Sequence, residues 1–137
     1  MRKRRLLFWS SIVFFVSLLA LSFVKFEGFL RTGFDITVVN ETEKNVNGLN
    51  ITYGYITKDI EIPIIPPKSI YKFYITPQEQ FGENTMRLYY FDNNKIKHSE
   101  IIFGYFEKGY FGQATIKVTS LDKNGKMKIQ IKGSMWE

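Results

Sequence analysis

The sequence contains no cysteine and a single histidine, His98. The absence of cysteine excludes disulfides, thiolate metal sites, a cysteine nucleophile and an anchor attached through a lipidated cysteine. A zinc site would have to rely on carboxylates, which is uncommon, so we predict neither a metal nor another cofactor. The Gly-x-Ser-x-Gly motif of serine hydrolases is also missing. These absences favour a protein that is not an enzyme.

Net positive charge is concentrated in the first residues. The chain has 19 basic and 13 acidic side chains, which gives a net charge of +6. Four of the basic residues stand together at the start of the chain: Arg2, Lys3, Arg4 and Arg5. The rest of the chain is close to charge balance and indicates no basic groove, so we predict no binding to nucleic acid.

The longest run without charge, proline or glycine covers residues 6–24. As a helix, this run would span about 28 Å, close to the thickness of the hydrocarbon core of a bilayer. The basic flank at residues 1–5 places the N-terminus in the cytoplasm and the following domain outside the cell membrane. Trp9 would then lie near the cytoplasmic interface. The sequence predicts a signal anchor in the lipid bilayer and a single-pass membrane protein.

A cleaved signal peptide is the alternative interpretation of the same run. The basic start is present, but the apolar stretch exceeds the usual length of about 7–15 residues. The candidate cleavage triplet is Ala20-Leu21-Ser22, and two bulky residues, Phe23 and Val24, follow it. Cleavage there would release a secreted binding module.

The pattern changes after a short connector at residues 25–33, which reaches no more than about 30 Å when extended. From Phe34 onward, apolar and polar residues alternate, as at Phe34, Ile36 and Val38. Alternation with period two is typical of half-buried strands in antiparallel sheets. No later segment has a sustained helical period, so we predict an all-β extracytoplasmic domain over residues 34–137.

Turn signals separate the predicted strands. Asn47-Gly48 and Asn124-Gly125 are favoured in hairpins because both residue types tolerate positive φ, and Asp92-Asn93-Asn94 predicts a third turn. Prolines at positions 63, 66 and 67 indicate an edge strand or a crossover, because proline cannot donate to a ladder. The resulting seven or eight strands predict an immunoglobulin-like antiparallel β-sandwich, with a closed barrel as the alternative.

Two groups of residues suggest catalysis. His98 is followed by Ser99, but neighbouring residues of a strand point to opposite faces, so Ser99 cannot pair with His98. We therefore predict an ordinary surface histidine. Three acids could act as a glycosidase pair only if the fold brings two of them together, and they keep a small carbohydrate-active enzyme as an alternative: Glu79, Glu83 and Glu107.

The most unusual segment, residues 104–112, contains Gly-Tyr-Phe twice. Dense glycine permits sharp bends, and the aromatic rings supply a large apolar area. The rings either cap the core at a crossover between sheets or form an exposed platform for an envelope protein, a peptide or a glycan. On the second interpretation the binding residues are Tyr105, Phe106, Tyr110 and Phe111.

Two parts of the sequence carry a resemblance. One is the pattern Asn40-x-Thr42-x-x-x-Val46-x-Gly48-Leu49-x-Ile51-x-Tyr53, and the other is the aromatic segment 104–112. Together they resemble small membrane-anchored or secreted β-sandwich proteins of Gram-positive bacteria. The resemblance implies the fold and the location and assigns no catalytic or binding residue. We predict a non-enzymatic interaction or structural module displayed at the cell envelope.

Overall fold

A computed structural model describes residues 32–136 of the chain. Over this range the protein forms eight β-strands and no helix, which confirms the all-β prediction. No helix within the described residues is long and apolar enough to cross a membrane. The predicted anchor at residues 6–24 and the predicted topology residues Arg2, Lys3, Arg4, Arg5 and Trp9 lie outside the described range. The strands are β1 (Gly33–Asn40), β2 (Asn50–Tyr53), β3 (Ile60–Glu61), β4 (Ile70–Ile75), β5 (Asn84–Phe91), β6 (Lys97–Phe106), β7 (Phe111–Leu121) and β8 (Met127–Trp136).

The strands form two four-stranded sheets that share one core. Sheet 1 has the order β4-β1-β7-β8, and sheet 2 has the order β3-β2-β5-β6. The ring centroid of Phe34, in sheet 1, lies 4.8 Å from that of Phe103 and 5.1 Å from that of Phe106, both in sheet 2. Alternate residues of strands in both sheets are buried in the same hydrophobic cluster. The arrangement is a β-sandwich, and its eight strands agree with the predicted number.

One strand pair corrects the prediction of a purely antiparallel sandwich. β1 and β7 run parallel, with Phe34 opposite Gly112 and Ile36 opposite Ala114. The other pairs of described strands are antiparallel. Alternation with period two reports which face of a strand is buried, but not the direction of the neighbouring strand. The sequence pattern could therefore not distinguish the parallel pair from an antiparallel one.

Two of the three predicted turns are confirmed. Residues 92–96 connect β5 with β6, and residues 122–126 connect β7 with β8, with the same backbone hydrogen bonds in both turns. Asn47-Gly48 does not form a hairpin, because the flanking strands β1 and β2 belong to different sheets. Residues 62–69 cross from sheet 2 to sheet 1, in agreement with the crossover that the prolines indicated.

The two ends of the sandwich carry different loops. At the Gly33 end, Gly33 lies opposite Phe111, and Phe111 lies opposite Trp136. The same end of sheet 2 contains Phe106 opposite Asn84, and the loops at residues 54–59, 76–83 and 107–110 belong to this end. The opposite end, named here the Asn40 end, carries the turns at residues 92–96 and 122–126.

Candidate functional site

The aromatic segment 104–112 is a crossover between the two sheets. It contains the end of β6, in sheet 2, and the start of β7, in sheet 1. A tight turn joins them, in which the backbone N–H of Tyr110 donates to the carbonyl of Glu107 over 3.2 Å. Gly109 adopts a φ of 97°, which favours glycine because it has no side chain to clash. The segment thus crosses between the sheets, as the first of the two interpretations predicted.

Phe106 is part of the core, and this corrects its predicted place among the binding residues. Its side chain is 0% exposed. Its ring makes edge contacts with Phe34 and with Phe81, at centroid distances of 5.1 and 5.4 Å. Because adjacent residues of a strand point to opposite faces, burial of Phe106 directs Tyr105 outward. The sequence repeat hid this difference, since both Gly-Tyr-Phe copies look alike.

Tyr105 and Tyr110 remain at the surface of the Gly33 end. Tyr105 is 43% exposed, and its hydroxyl donates a hydrogen bond to the carboxylate of Glu107. The Tyr110 ring lies 6.2 Å from the Tyr105 ring in an edge-to-face arrangement and is half-buried against the core. The two tyrosines form a small amphipathic patch with an apolar body and a polar rim.

Phe111 is held against a residue that the sequence analysis did not single out. Its ring stacks on the indole of Trp136, with centroids 5.6 Å apart and planes at 24°. The contact follows from the register of β7 and β8, which places these residues opposite each other. Phe111 is half-buried, and Trp136 is 48% exposed.

A shallow pocket of about 190 Å³ lies beside this patch. Its walls come from the start of β1, the loop after β4 and the turn at residues 107–110. Glu107 and Lys108 are its charged residues, and Tyr110, threonine, backbone and apolar groups supply the rest of the lining. The pocket contains no pair of facing carboxylates. Glu79 bonds instead to the hydroxyl of Tyr53, over 3.0 Å, while Glu107 bonds to Tyr105.

His98 forms a half-buried cluster at the Asn40 end rather than a free surface side chain. Its Nε2 lies 3.0 Å from Oδ2 of Asp92, and its ring stacks on Tyr90 at 4.9 Å. The hydrogen bond with His98 lowers the pKa of the Asp92 carboxyl below its usual value. His98 lies opposite buried Tyr90, whereas Ser99 lies opposite Tyr89 on the outer face. The predicted separation of His98 from Ser99 is confirmed, so the cluster lacks a nucleophile there.

The outer face of β5 and β6 is the surface that sequence reasoning missed. We call it the β5–β6 outer face and define it by Tyr89, Phe91, Lys97 and Ile101. Phe91 is 56% exposed, and Ile101 is 50% exposed. Tyr89 makes an edge contact with Phe91 at 6.1 Å, and Nζ of Lys97 lies 4.1 Å from the centre of the Tyr89 ring.

A partly buried hydrogen bond fixes the Tyr89 side chain at the centre of this face. The Tyr89 hydroxyl donates to Oδ2 of Asp59 over 2.6 Å. Hydrogen bonds from Thr52 and Tyr89, together with the positive charge of Lys97, lower the pKa of Asp59. The bond to Asp59 raises the pKa of Tyr89. The Tyr89 side chain is thus held in one orientation, so it loses little conformational entropy when a partner binds to it.

The outer face of sheet 1 has a different character. Around an open hollow of about 420 Å³, strands β7 and β8 present Thr, Gln and Lys side chains, whereas Ile131 packs against the core. Lysines alternating with small polar residues are typical of a solvated sheet surface. Within residues 32–136, no group of three or more acidic or histidine side chains is placed to hold a metal ion. The β5–β6 outer face combines exposed apolar side chains with a fixed carboxylate and a lysine, which makes it the candidate binding surface.

Comparison with known proteins identifies no family. No protein-family model matches the chain, and no curated protein sequence matches it. The structure is similar to the NMR structure of a protein from Eubacterium rectale, with 17% sequence identity and a TM-score of 0.42. The aligned region covers 74% of this chain and 89% of that chain. The site must therefore be interpreted from its own chemistry.

Proposed function

We propose that the protein is a single-pass membrane protein whose extracytoplasmic β-sandwich binds another protein at the cell envelope, and that it is not an enzyme. The apolar run at residues 6–24 and the basic flank before it support the location and the orientation. Two packed sheets with a common core support an immunoglobulin-like sandwich in the broad sense, which includes related topologies. Its strand order differs from that of constant immunoglobulin domains, because β1 and β2 lie in different sheets.

The observation that carries the binding function is the exposure of apolar side chains on two adjacent strands. Ile101 lies opposite Arg87, next to the Tyr89–Ser99 pair, and Phe91 follows at the end of β5. The side chains therefore form a continuous stripe rather than isolated surface residues. Aromatic and aliphatic residues beside a fixed carboxylate and a lysine have the composition of a protein-binding surface.

A protein or peptide partner fits this face better than a glycan does. Sugar rings bind to the open faces of aromatic rings, but the ammonium group of Lys97 covers one face of Tyr89. The other ring of this face, Phe91, is 56% exposed. If an added glycan displaced the protein partner from Phe91, that result would support the glycan alternative.

Release by signal-peptide cleavage is the second candidate for the location. The candidate triplet Ala20-Leu21-Ser22 supports it. The mass of the protein recovered from membranes and from the medium separates the two, because cleavage would remove the basic flank. The β5–β6 outer face would serve either form.

Site-specific crosslinking in the host cell tests the binding function. A photo-crosslinking amino acid replaces Ser99 on the β5–β6 outer face, and the control replaces Lys132 on the outer face of sheet 1. We expect a discrete adduct with one extracytoplasmic protein from position 99, and its loss in the Phe91→Ser/Ile101→Ser variant. Equal adducts from both positions, or none from position 99, would contradict the proposal.

A further inference from the structure

Exposed tyrosine and tryptophan side chains are concentrated at one end of the sandwich. Among residues 32–136, the strongly exposed residues of these two types are Tyr55, Tyr74, Tyr105 and Trp136. All four lie at the Gly33 end, in its loops or at the strand positions next to them. The strongly exposed large apolar residues nearer the Asn40 end are instead aliphatic or phenylalanine: Ile64, Ile70, Phe91 and Ile96.

Contacts with the folded domain hold three of these four side chains, those of Tyr74, Tyr105 and Trp136. The Tyr74 hydroxyl donates to the carbonyl of Thr32 over 2.7 Å. Tyr105 bonds to Glu107, and Trp136 is stacked on Phe111. Most of the aromatic surface is thus fixed to the folded domain.

The same end receives the polypeptide from the predicted anchor. β1 begins at Gly33, and the predicted membrane span ends at residue 24. The connector at residues 25–33 reaches at most about 30 Å, and less in any bent conformation. On so short a connector, the start of β1 cannot lie farther than about 30 Å from the bilayer surface.

The residue types at this end suit a lipid headgroup region. Tyrosine and tryptophan combine an apolar ring with a polar group, and they are enriched where membranes meet water. Electrostatic attraction is not the cause, because the loops at residues 54–59, 76–83 and 107–110 contain more acids than bases. The end should therefore contact zwitterionic lipid as well as anionic lipid.

From these observations we infer that the Gly33 end of the sandwich rests in the outer headgroup region of the bilayer, with Tyr55, Tyr105 and Trp136 at the lipid interface. This inference depends on the proposed membrane anchor. It gives the domain a defined orientation: its strands point away from the membrane, and the β5–β6 outer face stands on the side, open to a partner.

Trp136 supplies the test, because the chain has two tryptophans, Trp9 and Trp136. The full-length Trp9→Phe protein, reconstituted in phosphatidylcholine vesicles, has Trp136 as its single tryptophan, whose emission is excited selectively at the red edge of the absorption band. We expect quenching of its emission when the lipid carries bromine near the acyl-chain carbonyl, and protection from aqueous acrylamide. The matched reporter is Trp9→Phe/Trp136→Phe/Phe91→Trp, whose fluorophore should show strong acrylamide quenching and none by brominated lipid.

The outcomes separate the two proposals. Protein that does not float with the vesicles would contradict the membrane anchor. Protein that floats but gives the same quenching pattern at positions 136 and 91 would leave the anchor standing and overturn the docked end. In the docked protein, Tyr55→Ser/Tyr105→Ser should reduce lipid quenching of Trp136, whereas Ile64→Ser/Ile70→Ser at the Asn40 end should leave it unchanged.

Discussion

The side-chain amide of Asn40 donates a hydrogen bond to the backbone carbonyl of Ile65, 3.0 Å away and 25 residues later in the chain. The same nitrogen also lies within hydrogen-bond distance of the carbonyls of Lys44 and Pro66. Its Oδ1 accepts hydrogen bonds from the backbone N–H and the hydroxyl of Thr42. Asn40 thereby joins the loop after β1 to the segment that crosses from sheet 2 to sheet 1.

Replacing Asn40 by alanine should destabilise the domain strongly. The substitution removes the hydrogen bonds from the Asn40 amide to three backbone carbonyls and leaves the buried N–H of Thr42 without its acceptor. An unsatisfied buried polar group costs about 1–3 kcal/mol, and each lost hydrogen bond adds to that cost. We expect the free energy of unfolding to fall by about 3 kcal/mol or more, measured by urea denaturation. Asn50→Ala is the matched control, because the Asn50 side chain makes one exposed hydrogen bond, to the carbonyl of Gly48. Equal losses in the two variants would contradict the role of Asn40.

The bonding of Asn40 also explains part of the sequence pattern. Asn40-Glu41-Thr42 and Asn50-Ile51-Thr52 both match the glycosylation motif. In the first, the asparagine is fully buried and the threonine hydroxyl bonds back to it, so the motif has a structural cause there. An oligosaccharide has no access to Asn40 in the folded domain.

The neighbouring residues Tyr105 and Phe106 should respond oppositely to truncation. Phe106→Ala removes a ring packed between the sheets and should cost about 3–5 kcal/mol of unfolding free energy. Tyr105→Ala removes an exposed ring and should cost less than about 1 kcal/mol. Thermal or urea denaturation of the two variants makes the comparison. A large loss for Tyr105→Ala with a small one for Phe106→Ala would mean that the faces of β6 are assigned the wrong way round.

Local alternation predicted the strands well because burial of one face imposes period two directly on the sequence. Phe34, Ile36 and Val38 are buried as that pattern requires. The pattern failed in β6, where the adjacent residues Ile102 and Phe103 are both buried. The register of β5 and β6 shifts there, so extra residues are inserted into β6 and the alternation is interrupted.

The candidate binding surface could not be predicted, for a different physical reason. Tyr89 is fixed by Asp59, which lies 30 residues earlier, and it faces Lys97 only because β5 pairs with β6. Contacts of this kind depend on the pairing of strands and leave no periodic signal. Sequence analysis found the aromatic segment 104–112 because it is contiguous, and it overlooked the β5–β6 outer face because that face is assembled from two strands.

Lys95 offers a stabilising substitution. It adopts a φ of 63°, while Gly125 has a φ of 78° at the equivalent place in the other turn. Left-handed backbone costs a residue with a side chain about 1–2 kcal/mol, and glycine avoids most of that cost. Lys95→Gly should therefore raise the unfolding free energy by about 0.5–1 kcal/mol, whereas Lys95→Ala should give no such gain.

Gly125 is the reverse test of the same turn geometry. A Cβ atom at Gly125 would lie 2.7 Å from Oδ1 of Asn93, in addition to the backbone cost. Gly125→Ala should lower the thermal midpoint, and the midpoint of Lys95→Gly should rise. A higher midpoint for Gly125→Ala together with a lower midpoint for Lys95→Gly would show that these two residues are not held in left-handed conformations.

Tyr53 should control part of the stability at alkaline pH. Burial, followed by the hydrogen bond to Glu79 and the charge of that carboxylate, raises the pKa of Tyr53 to about 12 from 10.0. Because the raised pKa belongs to the folded state, the stabilisation is complete below pH 10 and is lost as the pH rises toward 12. The unfolded chain gains stability there by losing the proton of Tyr53, which the folded protein retains.

Comparison of the wild type with Tyr53→Phe isolates this effect. At neutral pH the variant should lose about 1 kcal/mol or more of unfolding free energy, because the hydrogen bond to a charged acceptor is gone. The difference from the wild type should shrink between pH 10 and 12, since phenylalanine has no proton to lose. Glu79→Gln should remove only part of the loss of stability between pH 10 and 12, because burial is the larger cause of the raised pKa of Tyr53. A constant difference between wild type and Tyr53→Phe across this range would mean that Tyr53 ionises equally in the folded and unfolded states.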